Sequence, residues 1–369
     1  MRIGVIYLGR FGSGGPISLE LARNLSDSAN VLCFVSSYVE NIHSWRQSGL
    51  PLVEFSTYTG FIQAIISILR KNKLHELSNK IRKFDPDVLL YPMLHPWVPF
   101  LQRKLSDIPS VMVLHDAKPH PGLFPKIMGY LDNFAIRNAT SCVVLSVNQK
   151  VFAQSRRKHD KIHVVPLGIL SYYAKEISRS TLEEYVKRDS LLFFGRITRY
   201  KGIEILLKAF GRLKRKFKWL KLLIAGAGDI RPYRKMLNML DSVKLVNRWI
   251  NEEEIPIFFK QARLVILPYL SASQSGVIAT AAAFGVPVVA TRTGGIPEQI
   301  KDGKTGCLID PGSVDQLVTT VMHLLEDEQY AFSIGQNLMF DFEQNMNWKI
   351  IAKEFYNICE EAINEMRNL

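Results

Sequence analysis

The 369-residue sequence has few cysteines and no long hydrophobic run, and each shortage excludes a class of protein. It contains four cysteines, Cys33, Cys142, Cys307 and Cys359. They are far apart and form no CxxC pair, so neither a disulfide scaffold nor a zinc site is indicated. No apolar stretch reaches about 18 residues, which argues against a membrane span. The start, MRIGVIYLGR, lacks the features of a secretory leader, so we expect a cytoplasmic protein.

The fingerprint of a dinucleotide-binding protein is also missing. The first apolar run leads into a glycine-rich turn at 9–16, but the spacing of its glycines is not GxGxxG. No acidic residue stands at a suitable place after the second apolar run to hold a ribose. These two absences argue against an NAD-dependent oxidoreductase.

Acidic residues are scarce relative to basic ones. The chain has 47 Lys and Arg against 34 Asp and Glu, which gives a net charge of +13. Most of the excess lies in residues 1–168, where 20 basic residues meet 11 acidic ones. Such a balance favours nucleic acid, an anionic membrane or anionic ligands as partners. No zinc-finger, homeodomain or RNP-type aromatic motif accompanies the charge, so we expect no nucleic-acid partner.

The remaining composition, with 47% hydrophobic and 22% charged residues, is that of a globular protein of about two domains. Short apolar runs predict strands at 2–8, 30–35, 87–91, 110–114, 141–145, 190–195, 221–225, 243–246, 263–267 and 287–290. Amphipathic or small-residue stretches predict helices at 16–26, 61–83, 202–216, 275–284, 313–326 and 348–367. Continuous apolar strands that alternate with helices indicate doubly wound α/β domains with parallel sheets. A polar segment at 169–189 reads as a linker between two such domains.

Two cationic side chains follow the predicted strand at 190–195. Arg196 and Lys201 are five residues apart across a turn that ends at Gly202, so both can reach one anion. An arginine fork and a lysine point charge together suit a diphosphate. The alternative is that both are solvated surface charges.

A polar loop after the strand at 263–267 opens a helix of small residues. Gln274, Ser275, Gly276 and Val277 form its start, where free backbone N–H groups bind anions. Gly294 and Gly295 end the next strand and face the same crevice. Further upstream, Gly226 and Gly228 end the strand at 221–225 and permit close approach of a ligand.

The first half offers weaker candidates. Gly14 and Gly15 open a predicted helix whose N-terminus can bind an anion, or they form only a tight strand-to-helix turn. His115 follows the strand at 110–114, and the adjacent Asp116 can fix its tautomer, or the pair caps a helix. His95 follows the strand at 87–91 and is as readily structural as functional.

Four segments carry a resemblance to the sugar-nucleotide domain of family 4 glycosyltransferases, which have the GT-B fold. They are GRITRYKGIEILLKAF, LLIAGAGD, the block 268–291 and GGIPEQIKDGKTGCLIDPGS, and the similarity is ordered over 190–320. The segments Gly14–Ala22 and HDAKPHPG resemble the family more loosely. The resemblance implies two Rossmann-like domains that face a central cleft, an acceptor domain at 1–168 and a donor domain at 169–345. Residues 346–369 would form a helix that crosses back to the first domain.

The resemblance also assigns roles to residues. Arg196 and Lys201 would bind the donor diphosphate, and His115 would contact the donor sugar. The remaining donor-binding positions would be Gly14, Gly15, Gly226, Gly228, Arg248, Ile250, Gln274, Ser275, Gly276, Val277, Thr280 and Gly295. Arg248 to Ile250 would lie where the base is held, and 273–277 would surround the transferred sugar and the distal phosphate.

One departure from the family pattern concerns the ribose. Relatives have two glutamates seven residues apart around the loop, and the second binds the ribose hydroxyls. Here the second position is Thr280, and the first is Ala272 or Ser273. Gln274, Thr280 and Glu298 are the candidates to replace the missing carboxylate.

The implied activity is retaining transfer of a sugar from a UDP- or GDP-linked donor to a glycan or lipid-linked acceptor in cell-surface polysaccharide or glycolipid synthesis. The implied enzyme needs no metal and no cofactor. The alternative is an inactive glycosyltransferase-like subunit that serves as a binding or assembly partner, which the missing glutamates alone support.

The basic stretch 61–83 joins an apolar face to six cationic side chains. Such a helix can lie on an anionic membrane, which favours a peripheral position on the inner face of the cell membrane. A helix packed on the core with solvated charges is the alternative.

Overall fold

The computed structural model of the chain describes residues 1–58, 63, 71–115, 125–156, 161–177 and 188–368. These residues form two compact units, Met1–Gly168 with Asn347–Leu369, and Ile169–Met346. Several predicted features lie outside the described residues: most of the first half of the basic helix, Asp116 beside His115, and much of the linker.

Seven parallel strands form the sheet of the first unit. They are β1 (Arg2–Tyr7), β2 (Asn30–Ser36), β3 (Leu52–Phe55), β4 (Val88–Tyr91), β5 (Ser110–Leu114), β6 (Ser141–Val144) and β7 (Ile162–Val164). Their order is β3-β2-β1-β4-β5-β6-β7, so the chain reverses its direction of winding between β1 and β4. In register, Ile3 pairs with Val31 on one side and with Val88 on the other, and all three side chains are buried.

The first unit contains six described helices before the second unit begins. They are α1 (Gly14–Leu25), α2 (Ile42–Arg46), α3 (Lys71–Phe84), α4 (Val98–Lys104), α5 (Pro125–Asn138) and α6 (Val147–Arg156). Leu74, Leu77 and Ile81 project from α3 into the core at helical spacing, so one face of the basic helix is packed rather than exposed.

Six parallel strands form the sheet of the second unit. They are β8 (Ser190–Phe194), β9 (Lys221–Ala225), β10 (Val243–Val246), β11 (Ala262–Leu267), β12 (Val288–Thr291) and β13 (Cys307–Ile309). Their order is β10-β9-β8-β11-β12-β13, and the reversal falls between β8 and β11.

Helices surround this second sheet as well. They are α7 (Ser171–Ile177), α8 (Ile203–Lys216), α9 (Arg234–Asn238), α10 (Ile255–Gln261), α11 (Gly276–Ala283), α12 (Ile296–Gln299), α13 (Val314–Glu326) and α14 (Glu328–Asn345). The last helix, α15 (Trp348–Arg367), belongs to the first unit and packs against α1, β4 and β5. The predicted doubly wound α/β architecture with two parallel sheets is confirmed.

Every strand that the apolar runs predict is present, and its ends differ from the prediction by at most one residue. Three short strands, β3, β7 and β13, were not predicted from the sequence, and each lies at a sheet edge. An edge strand has one neighbour and is only partly buried, so its sequence needs no continuous apolar run. None of the described helices is long and apolar enough to cross a membrane.

Candidate functional site

The topology of the second sheet indicates where a ligand binds. In an open α/β sheet, ligands bind at the carboxyl ends of the strands where the winding direction reverses. In the second unit this point lies between β8 and β11. The loops that leave these strands are 195–202 and 268–275, so the two strongest sequence candidates follow neighbouring strands of one sheet.

The two loops are locked together by backbone contacts. The amide of Leu270 donates a hydrogen bond to the carbonyl of Tyr200 at 2.7 Å. Gly202 has φ +71°, and a Cβ added there would overlap the carbonyl oxygen of Pro268. A glycine is therefore required at 202 by both conformation and space. The contact fixes the short 3₁₀ turn Arg199–Lys201 against the end of β11.

Lys201 is held over an aromatic ring in this corner. Its Nζ lies 3.5 Å from the ring centroid of Tyr269 and 5.4 Å from that of Tyr200. Tyr269 is fully buried, and burial raises the pKa of its hydroxyl well above the usual range. A cation over an aromatic face is attracted to the ring and loses freedom of movement. The ammonium group of Lys201 is thus pre-positioned, whereas Arg196 in the same loop is exposed.

Four buried polar atoms close to this corner have no hydrogen-bond partner among the described residues. They are Thr198 Oγ1, the Tyr269 hydroxyl, Gln274 Oε1 and Ser275 Oγ. The Ser275 hydroxyl lies near enough to that of Tyr269 to lower its pKa against the larger effect of burial, but the two do not reach hydrogen-bond geometry. Buried polar groups are nearly always paired in folded proteins. Four unpaired atoms on the two loops at a topological switch point indicate a polar ligand.

The start of α11 is braced from behind. The side chain of Gln299 accepts a hydrogen bond from the Ser275 amide at 2.8 Å and donates one to the Ser275 carbonyl at 3.2 Å. The amide of Gly295 donates to the carbonyl of Ser273 at 3.1 Å. The loop before α11 is therefore rigid, and the first N–H groups of the helix, from Gly276 and Val277, point out of its N-terminus.

Gly226 and Gly228 have a packing role that the sequence does not reveal. A Cβ at Gly226 would overlap the Gly195 carbonyl, and one at Gly228 would overlap the Ile197 carbonyl. The Ile197 amide also donates to the carbonyl of Ala227 at 2.9 Å. The two glycines thus let the loops after β8 and β9 continue side by side beyond the sheet.

The segment predicted to hold a base is fixed by an ion pair. The Arg248 guanidinium binds both carboxylate oxygens of Glu254, at 2.8 and 2.5 Å, and lowers the pKa of that carboxyl. The side chain of Trp249 is 42% exposed, whereas Ile250 is buried. Arg248 is thus engaged with Glu254, and the exposed aromatic side chain of this segment is that of Trp249.

The three candidates for the missing ribose ligand differ clearly. Thr280 is buried, and its hydroxyl donates to the Gly276 carbonyl one turn back at 3.0 Å. Glu298 is exposed on α12. Gln274 is the candidate that has an unpaired buried acceptor in the loop itself.

The site candidates of the first unit lie at the corresponding strand ends of its own sheet. Gly14 and Gly15 are buried at the start of α1, where a Cβ at Gly15 would meet the side chain of Asn41. His115 follows β5, and its Nε2 donates to the carbonyl of Pro92 at 2.9 Å. The tautomer of His115 is therefore set by this backbone contact.

His95 is a buried member of an aromatic cluster. Its ring stacks on Tyr58 at 5.4 Å, and its Nδ1 accepts a hydrogen bond from the Trp97 amide at 3.2 Å. Burial lowers the pKa of His95 from 6.5 to about 3. The imidazole is neutral at physiological pH and serves the packing of this loop.

This burial predicts an acid-labile fold. Between pH 6.5 and 3 the unfolded chain binds a proton at His95, whereas the folded chain does not. The free energy of unfolding therefore falls as the pH falls through this range. The slope from this one group approaches about 1.4 kcal/mol per pH unit. Urea unfolding at pH 7, 6 and 5 checks it: His95→Gln should have a flatter dependence than the wild type, and equal slopes would contradict the assignment.

Three members of the second-unit site, Thr198, Tyr269 and Gln299, were not among the residues predicted from the sequence. Tyr269 lies two residues after the end of the predicted strand at 263–267, and this position is the signal that the sequence offers. Among the described residues, no group of three or more His, Cys, Asp or Glu side chains could hold a metal ion.

Comparisons with known proteins agree with this picture. Residues 188–327, which include all the loops of the second-unit site, match the model of a family described as glycosyl transferases group 1. The chain is 29% identical over 242 residues to an uncharacterized glycosyltransferase of Methanocaldococcus jannaschii, an alignment that covers 61% of this chain and 62% of that protein.

A second relative is the GDP-mannose-dependent alpha-(1-6)-phosphatidylinositol monomannoside mannosyltransferase of Mycolicibacterium smegmatis. It is 34% identical over 158 residues, which cover 40% of this chain and 41% of that protein. The chain thus aligns with less than two thirds of the length of either relative.

Among solved structures, HepE of Anabaena in complex with UDP-glucose has the same fold. Its TM-score is 0.73 at 18% sequence identity, and the match covers 97% of this chain and 99% of that one. The fold that the sequence resemblance implied is confirmed, and the family match agrees with the resemblance over residues 188–327. Residues 188–327 are thus similar to the glycosyl transferases group 1 family, and the chain has the GT-B fold.

Proposed function

We propose that this protein is a glycosyltransferase that moves a sugar from a nucleotide-sugar donor to a glycan or lipid-linked acceptor. One observation carries the proposal: Lys201 and four unpaired buried polar atoms lie on the two loops at the switch point of the matched domain. A diphosphate carries negative charge that attracts the ammonium group of Lys201, and its oxygen atoms accept hydrogen bonds from hydroxyl donors such as those of Thr198, Tyr269 and Ser275.

The chemistry of the proposed step follows from the charges around it. The bond from the anomeric carbon to the diphosphate oxygen breaks, and a bond to the acceptor oxygen forms. Negative charge grows on the departing diphosphate, where Lys201, Arg196 and the N-terminus of α11 would stabilise it. We propose that these groups meet that charge without a metal ion.

Retention of configuration belongs to the same proposal. The acceptor would approach on the face that the diphosphate leaves, and the departing phosphate oxygen would take the proton of the acceptor hydroxyl. No protein nucleophile is then needed. Retention is tested by the anomeric configuration of the product, which NMR coupling constants determine; an inverted product would overturn this part.

We infer that Gln274 takes over a donor hydroxyl that a glutamate binds in relatives. Its Oε1 is buried and unpaired, while Thr280 already donates to Gly276. Gln274→Ala should lower kcat/KM for the donor by about 5- to 150-fold, because one buried hydrogen bond is lost. The effect should appear mainly in KM. Thr280→Val is the matched control and should change KM much less; the reverse order would assign the hydroxyl to Thr280.

The donor nucleotide is proposed to be UDP or GDP, and its base would lie near Arg248, Trp249 and Ile250. His115, Gly14 and Gly15 belong to the first unit, and their contact with the donor remains an implication of the family resemblance. The alternative of an inactive subunit is not favoured, because the corner around Lys201 retains cations and unpaired polar atoms.

We also propose a peripheral position on an anionic membrane, although fewer cationic side chains of the basic helix are available for it than the sequence suggested. In the described part of α3, Lys80 pairs with Glu76, Arg82 pairs with Asp107, and Lys73 donates to the Ser56 carbonyl. Flotation with liposomes tests the docking: binding should rise with the fraction of anionic lipid. Binding that does not change with lipid charge, or no binding at all, would overturn it.

A further inference from the structure

The first unit contains a cavity on the side of its sheet where the strands β5 and β6 begin. It has a volume of about 580 Å³ and opens where α4 and α5 end and where β5 and β6 begin. Its walls include Tyr91, Gln102, Arg103, Phe134, Arg137 and Met366. Cavities of a few hundred Å³ are of the size that holds a small organic ligand.

Two buried polar atoms of the cavity-lining residues have no partner. Tyr91 is fully buried, and its hydroxyl makes no hydrogen bond among the described residues. Gln102 is buried as well, and its Nε2 donates to the Ala135 carbonyl at 3.1 Å, which orients the amide. Its Oε1 is then left without a donor. A buried hydroxyl and a buried amide oxygen left unpaired are expected to receive a ligand's hydroxyl groups.

Two guanidinium groups at the same cavity have no carboxylate partner among the described residues. Arg103 and Arg137 are exposed in the last turns of α4 and α5. Within the described part of the chain, neither forms an ion pair. Asp107, next to the cavity-lining residues Ser106 and Ile108, is engaged elsewhere, because both of its carboxylate oxygens accept hydrogen bonds from Arg82. The carbonyl groups at a helix C-terminus attract cations, and this attraction alone could account for the two arginines. It does not account for the unpaired Tyr91 hydroxyl and Gln102 Oε1.

We propose that this cavity binds a phosphorylated monosaccharide. The phosphate would lie between Arg103 and Arg137, since a planar guanidinium binds phosphate oxygens bidentately. The sugar hydroxyls would reach the Tyr91 hydroxyl and Gln102 Oε1, and Phe134, which is 43% exposed, would cover the apolar face of the ring. This site is separate from the proposed transfer reaction. It lies where strands β5 and β6 of the first unit begin, whereas the proposed donor loops follow the carboxyl ends of β8 and β11 in the second unit.

Isothermal titration calorimetry with glucose 6-phosphate and fructose 6-phosphate tests the proposal. It is run on an Arg196→Gln/Lys201→Ala background, so that the proposed donor site does not contribute. At least one hexose phosphate should bind saturably, and Arg103→Gln or Arg137→Gln should each weaken the binding at least tenfold. Lys104→Gln is the matched control, because it removes one positive charge one residue away from Arg103. It should leave the affinity unchanged.

Further measurements distinguish a sugar phosphate from free phosphate and from a lipid headgroup. Glucose should not bind, and inorganic phosphate should bind more weakly than the hexose phosphate. Hydrogen exchange should slow at 101–110 and 131–140 in the complex. The proposal is overturned if neither hexose phosphate binds, if both arginine variants bind as the background does, or if Lys104→Gln weakens binding equally. Arginine-dependent binding to phosphatidylglycerol vesicles without hexose phosphate binding would overturn it too, in favour of a lipid headgroup.

Discussion

Lys201→Ala is expected to lose transfer activity by about 10²- to 10³-fold in kcat/KM, the range seen when one group that stabilises transition-state charge is removed. The physical reason is the position of its ammonium group, held 3.5 Å over the ring of the buried Tyr269 in the corner between two loops. A group fixed in advance stabilises the leaving diphosphate without reorganisation. The measurement is initial-rate kinetics with product detection.

Arg215→Ala is the matched control for this prediction. Arg215 is exposed on α8 of the same unit, so its removal changes the net charge equally without touching the proposed site. Its kcat/KM should stay near the wild-type value. Lys201→Arg should recover part of the lost rate, since it restores the charge. Near-normal turnover in Lys201→Ala, at a wild-type Tm, would contradict the role of this side chain.

Gly202→Ala is expected to destabilise the second unit strongly. The backbone at this position has φ +71°, which costs an alanine about 1 kcal/mol, and the new Cβ overlaps the Pro268 carbonyl. Forced repacking adds about 1–3 kcal/mol. The total should lower the free energy of unfolding by about 2–4 kcal/mol, and it should separate the two loops that carry the proposed site.

Gly303→Ala is the control that separates the effect of the Cβ overlap at Gly202 from the effect of its positive φ. Gly303 has nearly the same φ, +72°, but a Cβ there meets only the Tyr330 hydroxyl, at an ordinary 3.8 Å. Its cost should therefore be only the strain of about 1 kcal/mol. Urea unfolding of both variants gives the difference. Equal losses would mean that the contact between Gly202 and Pro268 does not hold the loops together.

How far the sequence predicts this fold depends on burial. The strands at 110–114 and 221–225 are predicted with the ends that the structure has, because each contains four consecutive apolar residues that the sheet buries. Leu52–Phe55, Ile162–Val164 and Cys307–Ile309 are edge strands of four, three and three residues, and each is too short to show a recognisable apolar run.

Some features of the candidate site are likewise visible in the sequence, whereas others arise only from tertiary packing. Arg196 and Lys201 are visible in the sequence because cations that follow a buried strand suggest a ligand at the strand end. The unpaired state of Thr198 Oγ1 and of the Tyr269 hydroxyl is created only by the packing of two loops that are distant in sequence. The glycines at 226 and 228 are visible as glycines, but their contact with the carbonyls of Gly195 and Ile197 is a tertiary fact.

The most direct test of the central claim is a footprint of the bound donor. Hydrogen exchange is measured with UDP, GDP and NAD, and with the nucleotide sugar for which transfer is detected. We predict that UDP or GDP and its sugar conjugate slow exchange at 195–202 and 268–277, and that NAD does not. Sugar transfer from a bound donor that leaves both segments unprotected would contradict the account.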